Sequence, residues 1–262
     1  MKNMKIAFFD SGIGGLSVLH HAMKILPDEE FIFFADEDNV PYGTKSREEI
    51  LKYVDAAFKF LTAQNVGAIV VACNTATSVA VRKMREKYSL PIIGMEPAIK
   101  VALDFYPNKK VLVTATEITV RGEKIHKLIN RLNAKKFVNL RALQKLVDFA
   151  ERQEFNSVEV EKYLREEFAP YDFENFSSIV LGCTHFNYFK DTMKKILPAH
   201  MKILDGNAGT LNQLVRLANL KVGIGKKNPS VEYFYSGRRV TSEKELTRLK
   251  IYLQRLDEMF LI

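Results

Sequence analysis

The chain has 262 residues, of which 47% are hydrophobic, and its formal net charge is +8 at pH 7. This length and composition can bury one large core or two smaller ones. No apolar run reaches the roughly 20 residues that a membrane-spanning helix needs, and residues 1–5 lead directly into an apolar strand. We therefore expect no membrane span and no signal peptide.

Two cysteines occur in the whole chain. So few thiols do not make a disulfide framework, which favours a reducing, cytoplasmic compartment with free thiols. The 39 Lys and Arg residues exceed the 31 Asp and Glu residues. Because basic residues such as Lys244, Arg248 and Arg255 are interleaved with acids, we interpret them as solvated surface. No nucleic-acid-reading motif accompanies the charge, which argues against a nucleic acid as the main partner.

Strands and helices alternate from the start of the chain. A glycine-rich loop from Asp10 to Gly15 separates the first strand from the first helix, and Ser46 with Glu49 predicts a capping box. We interpret the loop glycines as positions where the backbone approaches a small ligand, faced by Asp10 and Ser11. The elements predicted here are strands over 5–9, 31–35, 67–72 and 91–94, and helices over 16–26, from 46 onward and after Thr77.

The same alternation continues through the second part of the chain. The predicted strands cover 110–115, 137–140, 178–182, 201–204 and 231–235. The predicted helices cover 119–132, segments up to 168, the stretch from Cys183 to 197, 210–218, and a final helix opened by Ser242 with Glu245. The pattern indicates an α/β fold with two pseudo-symmetric lobes, each a mainly parallel sheet flanked by helices. Without a flexible linker, we expect the ligand to lie in the cleft between the lobes.

The two cysteines lie in near-copies of one stretch. The run Val70-Val71-Ala72-Cys73-Asn74-Thr75 precedes Val180-Leu181-Gly182-Cys183-Thr184-His185 by 110 positions. Each thiol ends an apolar strand and leads into a helix start, a place where parallel sheets hold ligands. A thiol there can ionise and serve as a base or a nucleophile. Alone, either cysteine is more often buried packing, and the repetition is what favours a functional interpretation.

Two facing thiols suit one reaction class. One sulfur removes a proton from one face of a carbon while the other returns a proton to the opposite face, and their roles exchange with direction. This chemistry is a reversible racemisation. Asp10 and His185 are candidates for setting which sulfur carries the proton.

Other thiol chemistries fit the residues less well. A zinc site calls for closely spaced cysteines or more histidines, and a Cys-His protease leaves the second cysteine without a role. The loop Gly12-x-Gly14-Gly15 lacks the spacing of a dinucleotide-binding loop, and no phosphate-binding loop or pyridoxal-phosphate lysine is visible. We therefore predict catalysis without cofactor or metal.

Five short motifs occur along most of the chain. They are Asp10-Ser11-Gly12-x-Gly14-Gly15, Pro41-Tyr42-Gly43, Ala72-Cys73-Asn74-Thr75-Ala76, Glu96-Pro97-Ala98 and Gly182-Cys183-Thr184-His185-Phe186. In sequence and in order, these motifs resemble those of the glutamate racemases of the cofactor-independent aspartate/glutamate racemase superfamily.

The resemblance implies interconversion of L- and D-glutamate, which supplies D-glutamate for peptidoglycan, in a cytoplasmic homodimer. It implies that Cys73 takes the α-proton from D-glutamate and Cys183 takes it from L-glutamate. It also implies interleaved lobes, the first formed by 1–97 with 208–262 and the second by 98–207. The substrate site that it implies comprises Asp10, Ser11, Tyr42, Gly43, Asn74, Thr75, Thr116, Thr119, Thr184 and His185.

Several positions depart from the family pattern. Asn187 replaces a proline, Asp148 stands at a glutamate position, and Arg238 replaces an acid. Residues 141–144 lack the usual Cys-Pro pair. All of these differences lie outside the five matched motifs, so they concern tuning, dimer packing and regulation more than the reaction.

Three alternatives stay open from the sequence. One is a racemase of aspartate or another acidic amino acid. Another is a catalytically silent binding or regulatory protein that kept the cleft. The net charge also leaves room for a secondary role in binding nucleic acid or gyrase.

Overall fold

The protein is built on two β-sheets, as seen in a computed structural model that describes residues 4–223, 229–260 and 262. Residues 1–3, on which part of the signal-peptide expectation depends, lie outside this description. The strands are β1 (Lys5–Asp10), β2 (Glu30–Ala35), β3 (Ala68–Val71), β4 (Ile92–Gly94), β5 (Lys110–Ala115), β6 (Val138–Ala142), β7 (Phe176–Leu181), β8 (Lys202–Asp205), β9 (Val231–Tyr235) and β10 (Arg238–Arg239).

The first sheet has the strand order β10-β9-β2-β1-β3-β4, and the second has the order β6-β5-β7-β8. All the pairs are parallel except β10 with β9. The first sheet combines strands from both ends of the chain, whereas the second uses residues 110–205 alone. Two parallel sheets confirm the predicted α/β class with two lobes. The lobe boundaries at 97/98 and 207/208 stay a prediction.

Helices cover both sheets, and within the described ranges none is long and apolar enough to cross a membrane. Their bounds are α1 (Leu16–Ile25), α2 (Arg47–Ala63), α3 (Asn74–Lys87), α4 (Ile99–Phe105), α5 (Glu117–Val120), α6 (Glu123–Arg131), α7 (Lys145–Glu151), α8 (Val158–Phe168), α9 (Lys190–Ile196), α10 (Asn207–Leu217) and α11 (Glu243–Phe260). Short 3-10 segments cover Ile13–Gly15, Glu37–Asn39, Tyr42–Thr44, Phe173–Asn175 and Thr184–Phe189.

The central strand β1 shows why apolar runs form this sheet. Phe8 and Phe9 are both fully buried, but they belong to hydrophobic clusters on opposite faces. Neighbouring side chains of a strand point to opposite faces, so a sheet covered by helices on both sides needs a continuous apolar run. Phe9 packs against Phe58 of α2, with ring centroids 6.4 Å apart.

Both predicted capping pairs are present at helix starts. At α2, the Ser46 hydroxyl accepts from the Glu49 N–H at 3.2 Å, and the Glu49 carboxylate accepts from the Ser46 N–H at 2.8 Å. At α11, the Ser242 hydroxyl accepts from the Glu245 N–H at 3.3 Å. Each pair satisfies N–H groups that a helix start leaves free.

Several predicted helix boundaries differ from the structure, and three of the differences have a local reason. Helix α3 begins at Asn74 rather than after Thr77, because the Cys73 sulfur accepts from the Ala76 N–H at 3.4 Å and caps the helix. The helix predicted over 119–132 is split, because Gly122 has extended backbone between α5 and α6. The helix predicted after Cys183 begins as the 3-10 segment Thr184–Phe189, whose side chains bond to the first sheet's loops.

Candidate active site

The structure brings both cysteines to one small cavity. Cys73 follows β3 and Cys183 follows β7, and each is 6% exposed with a free thiol. Every predicted site residue except Thr119 lines this cavity, and Thr119 bonds to two residues that do. The lining residues are Asp10, Ser11, Pro41, Tyr42, Gly43, Cys73, Asn74, Thr75, Thr116, Val147, Cys183, Thr184 and His185.

The surroundings of Cys73 favour its protonated form. Burial raises the pKa of the Cys73 thiol, and the nearby Asp10 carboxylate raises that pKa further. Hydrogen bonds from the Ala76 N–H and the Ser11 hydroxyl, whose oxygen is 3.6 Å from the sulfur, act in the opposite direction. Burial and charge dominate, so Cys73 is held as a thiol.

The surroundings of Cys183 are different, because an ion pair stands beside its sulfur. His185 Nδ1 lies 3.8 Å from the Cys183 sulfur, and His185 Nε2 lies 2.7 Å from Glu151 Oε1. Burial alone lowers the pKa of His185, but its contacts with Cys183 and Glu151 outweigh burial and raise that pKa well above the ordinary value. A positively charged ring therefore faces the Cys183 sulfur.

Glu151, the last residue of α7, completes this ion pair. Burial raises the pKa of Glu151, but the His185 contact, the Ile13 N–H and the Arg248 charge together lower it below the ordinary value. No sequence pattern marks Glu151, and the family resemblance places the glutamate position at Asp148. Asp148 is exposed one turn earlier on α7, so Glu151 is the carboxylate at the site.

Residues of helix α11 hydrogen-bond to Glu151. Arg248 Nη2 lies 3.1 Å from Glu151 Oε2, and the Tyr252 hydroxyl donates to the Glu151 carbonyl at 3.0 Å. The buried Arg255 donates through Nε to the Tyr188 carbonyl at 3.0 Å. One helix thereby fixes both α7 and the segment that carries His185.

The first glycine loop packs closely against the side chains of His185 and Glu151. A Cβ atom at Gly12 would lie 2.0 Å from Glu151 Oε1, and one at Gly14 would lie 2.5 Å from His185 Nδ1. Both contacts are far inside normal van der Waals distance, so only glycine fits. These glycines let the backbone approach the His185 and Glu151 side chains, and the predicted close approach to a ligand stays a prediction.

Asp10 connects the two halves of the site. It is fully buried, and its carboxylate accepts from the Ser11 N–H at 2.6 Å and from the Thr184 hydroxyl at 2.9 Å. Burial raises the pKa of Asp10 despite the opposing effects of the His185 charge and these hydrogen bonds. A carboxyl group at the end of β1 is thereby bonded to the residue after Cys183.

Polar groups on the other side of the cavity differ in how fully they are bonded. The hydroxyls of Thr75, Thr116 and Thr119 lie 3.0–3.4 Å from one another. The Tyr42 hydroxyl donates to Asp36 at 2.6 Å, and burial raises the pKa of Tyr42. Among the described residues, the buried Asn74 amide has no hydrogen-bond partner for either polar atom, which is unusual for a buried amide.

The departures from the family pattern lie at different distances from this cavity. Asn187 is buried behind it, where Nδ2 donates to the Thr184 carbonyl at 3.1 Å. Arg238 is exposed and pairs with Asp38 at 2.6 and 2.7 Å. Asn187 therefore supports the segment after Cys183, whereas Arg238 belongs to the surface.

The thiol cavity is not the largest space in the molecule. It offers about 10 Å³ to the centre of a water molecule, roughly the room for one water. A cavity of about 810 Å³ lies elsewhere, between residues of α1, α10 and α11, and shares no lining residue with the thiol cavity. Within the part of the chain that the structure describes, no cluster of His, Cys, Asp and Glu could hold a metal.

The fold is that of solved α/β racemases. The model of the Asp/Glu/Hydantoin racemase family matches residues 17–214. The chain belongs to this family and is an amino-acid racemase of its glutamate racemase branch.

Relatives in this branch match nearly the whole chain. The glutamate racemase of Campylobacter curvus is 51% identical over 263 residues, which cover 98% of each chain. The Escherichia coli glutamate racemase, solved with L-glutamate and the activator UDP-MurNAc-Ala, has a TM-score of 0.83 at 28% identity, covering 97% of this chain and 96% of that one. The Francisella tularensis enzyme, solved with D-glutamate, has a TM-score of 0.79 at 30% identity, covering 97% and 95%.

Proposed function

We propose that the chain interconverts L- and D-glutamate by proton transfer through Cys73 and Cys183. The observation that carries this proposal is that both thiols line one cavity in unlike electrostatic surroundings. Related structures hold L-glutamate in one case and D-glutamate in another, which supports glutamate as the substrate in both forms.

In this proposal, the neighbours of each sulfur assign its role. Cys183, beside the positively charged His185, acts as thiolate and removes the α-proton of L-glutamate. The Cys73 thiol then gives its proton to the opposite face of the α-carbon and yields D-glutamate. The enzyme is left with a Cys73 thiolate and a Cys183 thiol, the state that accepts D-glutamate for the reverse reaction.

Neighbouring groups support each state in turn. The Ala76 N–H and the Ser11 hydroxyl stabilise negative charge on Cys73 once its proton has left. The Glu151 carboxylate keeps His185 charged while Cys183 is a thiolate. We assign catalytic roles to the two cysteines, Asp10 and His185, and a positioning role to Glu151.

The substrate must be held without strong cationic side chains, because no lysine or arginine is among the described residues that line the cavity. The first N–H groups of α3, at Asn74 and Thr75, and the positive end of that helix suit one carboxylate. Asp10 suits the substrate ammonium group. The full set that we propose contacts glutamate is Asp10, Ser11, Tyr42, Gly43, Asn74, Thr75, Thr116, Thr119, Thr184 and His185.

The cellular setting that we propose follows the family. The protein acts in the cytoplasm, without cofactor, as a homodimer, and supplies D-glutamate for peptidoglycan synthesis. Its lobes comprise 1–97 with 208–262, and 98–207.

Exchange in deuterated water tests this function directly. Purified protein incubated with D-glutamate should yield L-glutamate with deuterium at the α-carbon, detected by proton NMR and circular dichroism. The absence of turnover from either enantiomer would refute the proposal. Turnover confined to aspartate in a substrate panel would make the chain an aspartate racemase, and binding without deuterium incorporation would make it a silent binding protein.

A further inference from the structure

Gln144 has a buried side-chain amide without a hydrogen-bond partner. Neither Nε2 nor Oε1 bonds to any group in the described ranges 4–223, 229–260 and 262. Gln144 stands directly before α7, yet its side chain makes no capping hydrogen bond. A buried amide without partners is expensive and rare, which points to a ligand that uses it.

The Gln144 amide lies against the cavity wall. A Cβ atom at Gly43 would be 2.5 Å from Gln144 Oε1 and 3.0 Å from the Thr116 Cβ, so the three residues meet at one point. Gly43 and Thr116 both line the thiol cavity. Gly43 is in the 3-10 segment that follows β2, whereas Gln144 follows β6 of the second sheet. The contact therefore joins structures from the two sheets.

Substrate entry must loosen this contact. The cavity has room for roughly one water, and an amino acid with two carboxylates needs several times that volume. Since Gly43 and Gln144 belong to opposite sides, separating the sides makes space between them. The Gln144 amide then faces that space with two N–H donors free.

We propose that Gln144 is a specificity-determining residue whose Nε2 donates to the distal carboxylate of bound glutamate. This inference rests on the proposed glutamate racemisation and adds one substrate contact to it. The amides of Asn74 and Gln144 both lack partners, and Gln144 Oε1 lies next to Gly43, whereas Asn74 follows Cys73 in the chain. Asn74 adjoins Cys73, where the α-carbon must lie, and Gln144 adjoins Gly43, so the two amides match the two carboxylates.

The position of Gln144 also explains a choice between substrates. Aspartate is one methylene shorter than glutamate. With its α-carbon between the thiols, we expect its distal carboxylate to reach less far toward Gln144 than that of glutamate. A site built to bond a polar group discriminates strongly against a substrate that leaves that group unpaired.

The test compares Gln144→Met with the unaltered protein. Methionine keeps the length of the side chain and removes the donor. We expect KM for both glutamate enantiomers to rise about 10- to 100-fold, as for the loss of a hydrogen bond to a charged group, with kcat within about threefold. Gln144→Glu, which places a like charge beside the carboxylate, should raise KM further.

Two measurements separate this contact from a packing role and from failure of the proposed function. The melting temperature of Gln144→Met should be equal to or above that of the unaltered protein, because an unpaired amide is removed. Gln64→Met, at the end of α2, is the matched control and should change neither constant. An unchanged KM in Gln144→Met, alongside normal turnover by the unaltered protein, would overturn the inference. Absent α-proton exchange in the unaltered protein would instead refute the racemase function.

Discussion

The two cysteines follow nearly the same sequence pattern and occupy opposite electrostatic surroundings. Cys73 caps the 14-residue helix α3 and lies near the Asp10 carboxylate, and burial with that charge raises the pKa of Cys73. Cys183 begins a 3-10 segment and lies 3.8 Å from a charged His185. A repeated strand-end motif thus places two like thiols, and their neighbours, which are not repeated, differ in charge.

The unlike surroundings of the two sulfurs cannot favour one direction of the reaction in kcat/KM. The two enantiomers of glutamate have equal free energies, so the equilibrium constant between them is unity. The ratio of kcat/KM for the two directions is therefore also unity, whatever the neighbours of each sulfur. Unlike surroundings can therefore give the two directions different values of kcat and of KM, but kcat/KM stays equal in both directions.

The largest expected effect comes from removing each sulfur in turn. Cys73→Ser and Cys183→Ser should each lower racemisation by about 10³-fold or more, since each removes one proton-transfer group. Residual α-proton exchange in deuterated water, followed by NMR, should be confined to D-glutamate in Cys183→Ser and to L-glutamate in Cys73→Ser. Full racemisation by either variant, with an intact circular dichroism spectrum, would exclude the two-thiol mechanism.

Removing the Glu151 carboxylate should make the surroundings of Cys183 more like those of Cys73. In Glu151→Gln, His185 loses the partner that helps raise its pKa, so it holds its proton less well. We expect kcat to fall about 100-fold and the alkaline limb of the pH profile to move to lower pH. Asp148→Asn, on the exposed face of α7, is the matched control. An equal loss of activity in both variants would contradict the role of Glu151.

Asp10→Asn tests how the Asp10 charge affects Cys73. The Asp10 charge helps raise the pKa of Cys73, so removing that charge should lower the pKa. The acid limb of the pH profile of kcat for D-glutamate should then move to lower pH. We expect kcat/KM to fall about tenfold, since the ammonium contact is lost while the fold persists. Asp38→Asn, whose carboxylate pairs with Arg238 at the surface, should leave the profile unchanged. A shift to higher pH would reverse the assignment.

The smallest effect is the pH dependence of stability. The raised pKa of His185 means that its contact stabilises the fold fully below the ordinary value of 6.5, and that this stability is lost as pH rises through the raised pKa. The lowered pKa of Glu151 means that its contribution is present above the ordinary 4.5 and is lost as pH falls through the lowered value.

Thermal melts of the unaltered protein and Glu151→Gln should show this window. The difference in free energy of unfolding should be largest near neutral pH, at about 3 kcal/mol for a buried ion pair, and shrink toward both extremes. A constant difference at all pH values would indicate a contribution without charge.

Local sequence patterns locate several residues of the thiol cavity. A strand end followed by small polar residues locates Cys73 and Cys183, and a glycine loop locates Asp10. Such features depend on a few neighbouring positions. The same local logic predicts the α/β class and the capping pair at Ser46.

Other features depend on contacts that no short pattern contains. Glu151 is an acid at the end of an ordinary helix, and its role comes from Ile13, His185 and Arg248, far away in the chain. Gln144 likewise gains its meaning only from Gly43 in the opposite half. Sequence spacing locates the reacting groups, and tertiary packing decides which charges accompany them.

Helix α11 gives this arrangement a consequence for synthesis. Both cysteines leave the ribosome well before Arg248, Tyr252 and Arg255, the residues that fix Glu151 and the segment after Cys183. A nascent chain thus carries both sulfurs before it carries the residues that hold Glu151 beside His185. Under the proposed mechanism, we expect chains that stop before α11 not to racemise glutamate.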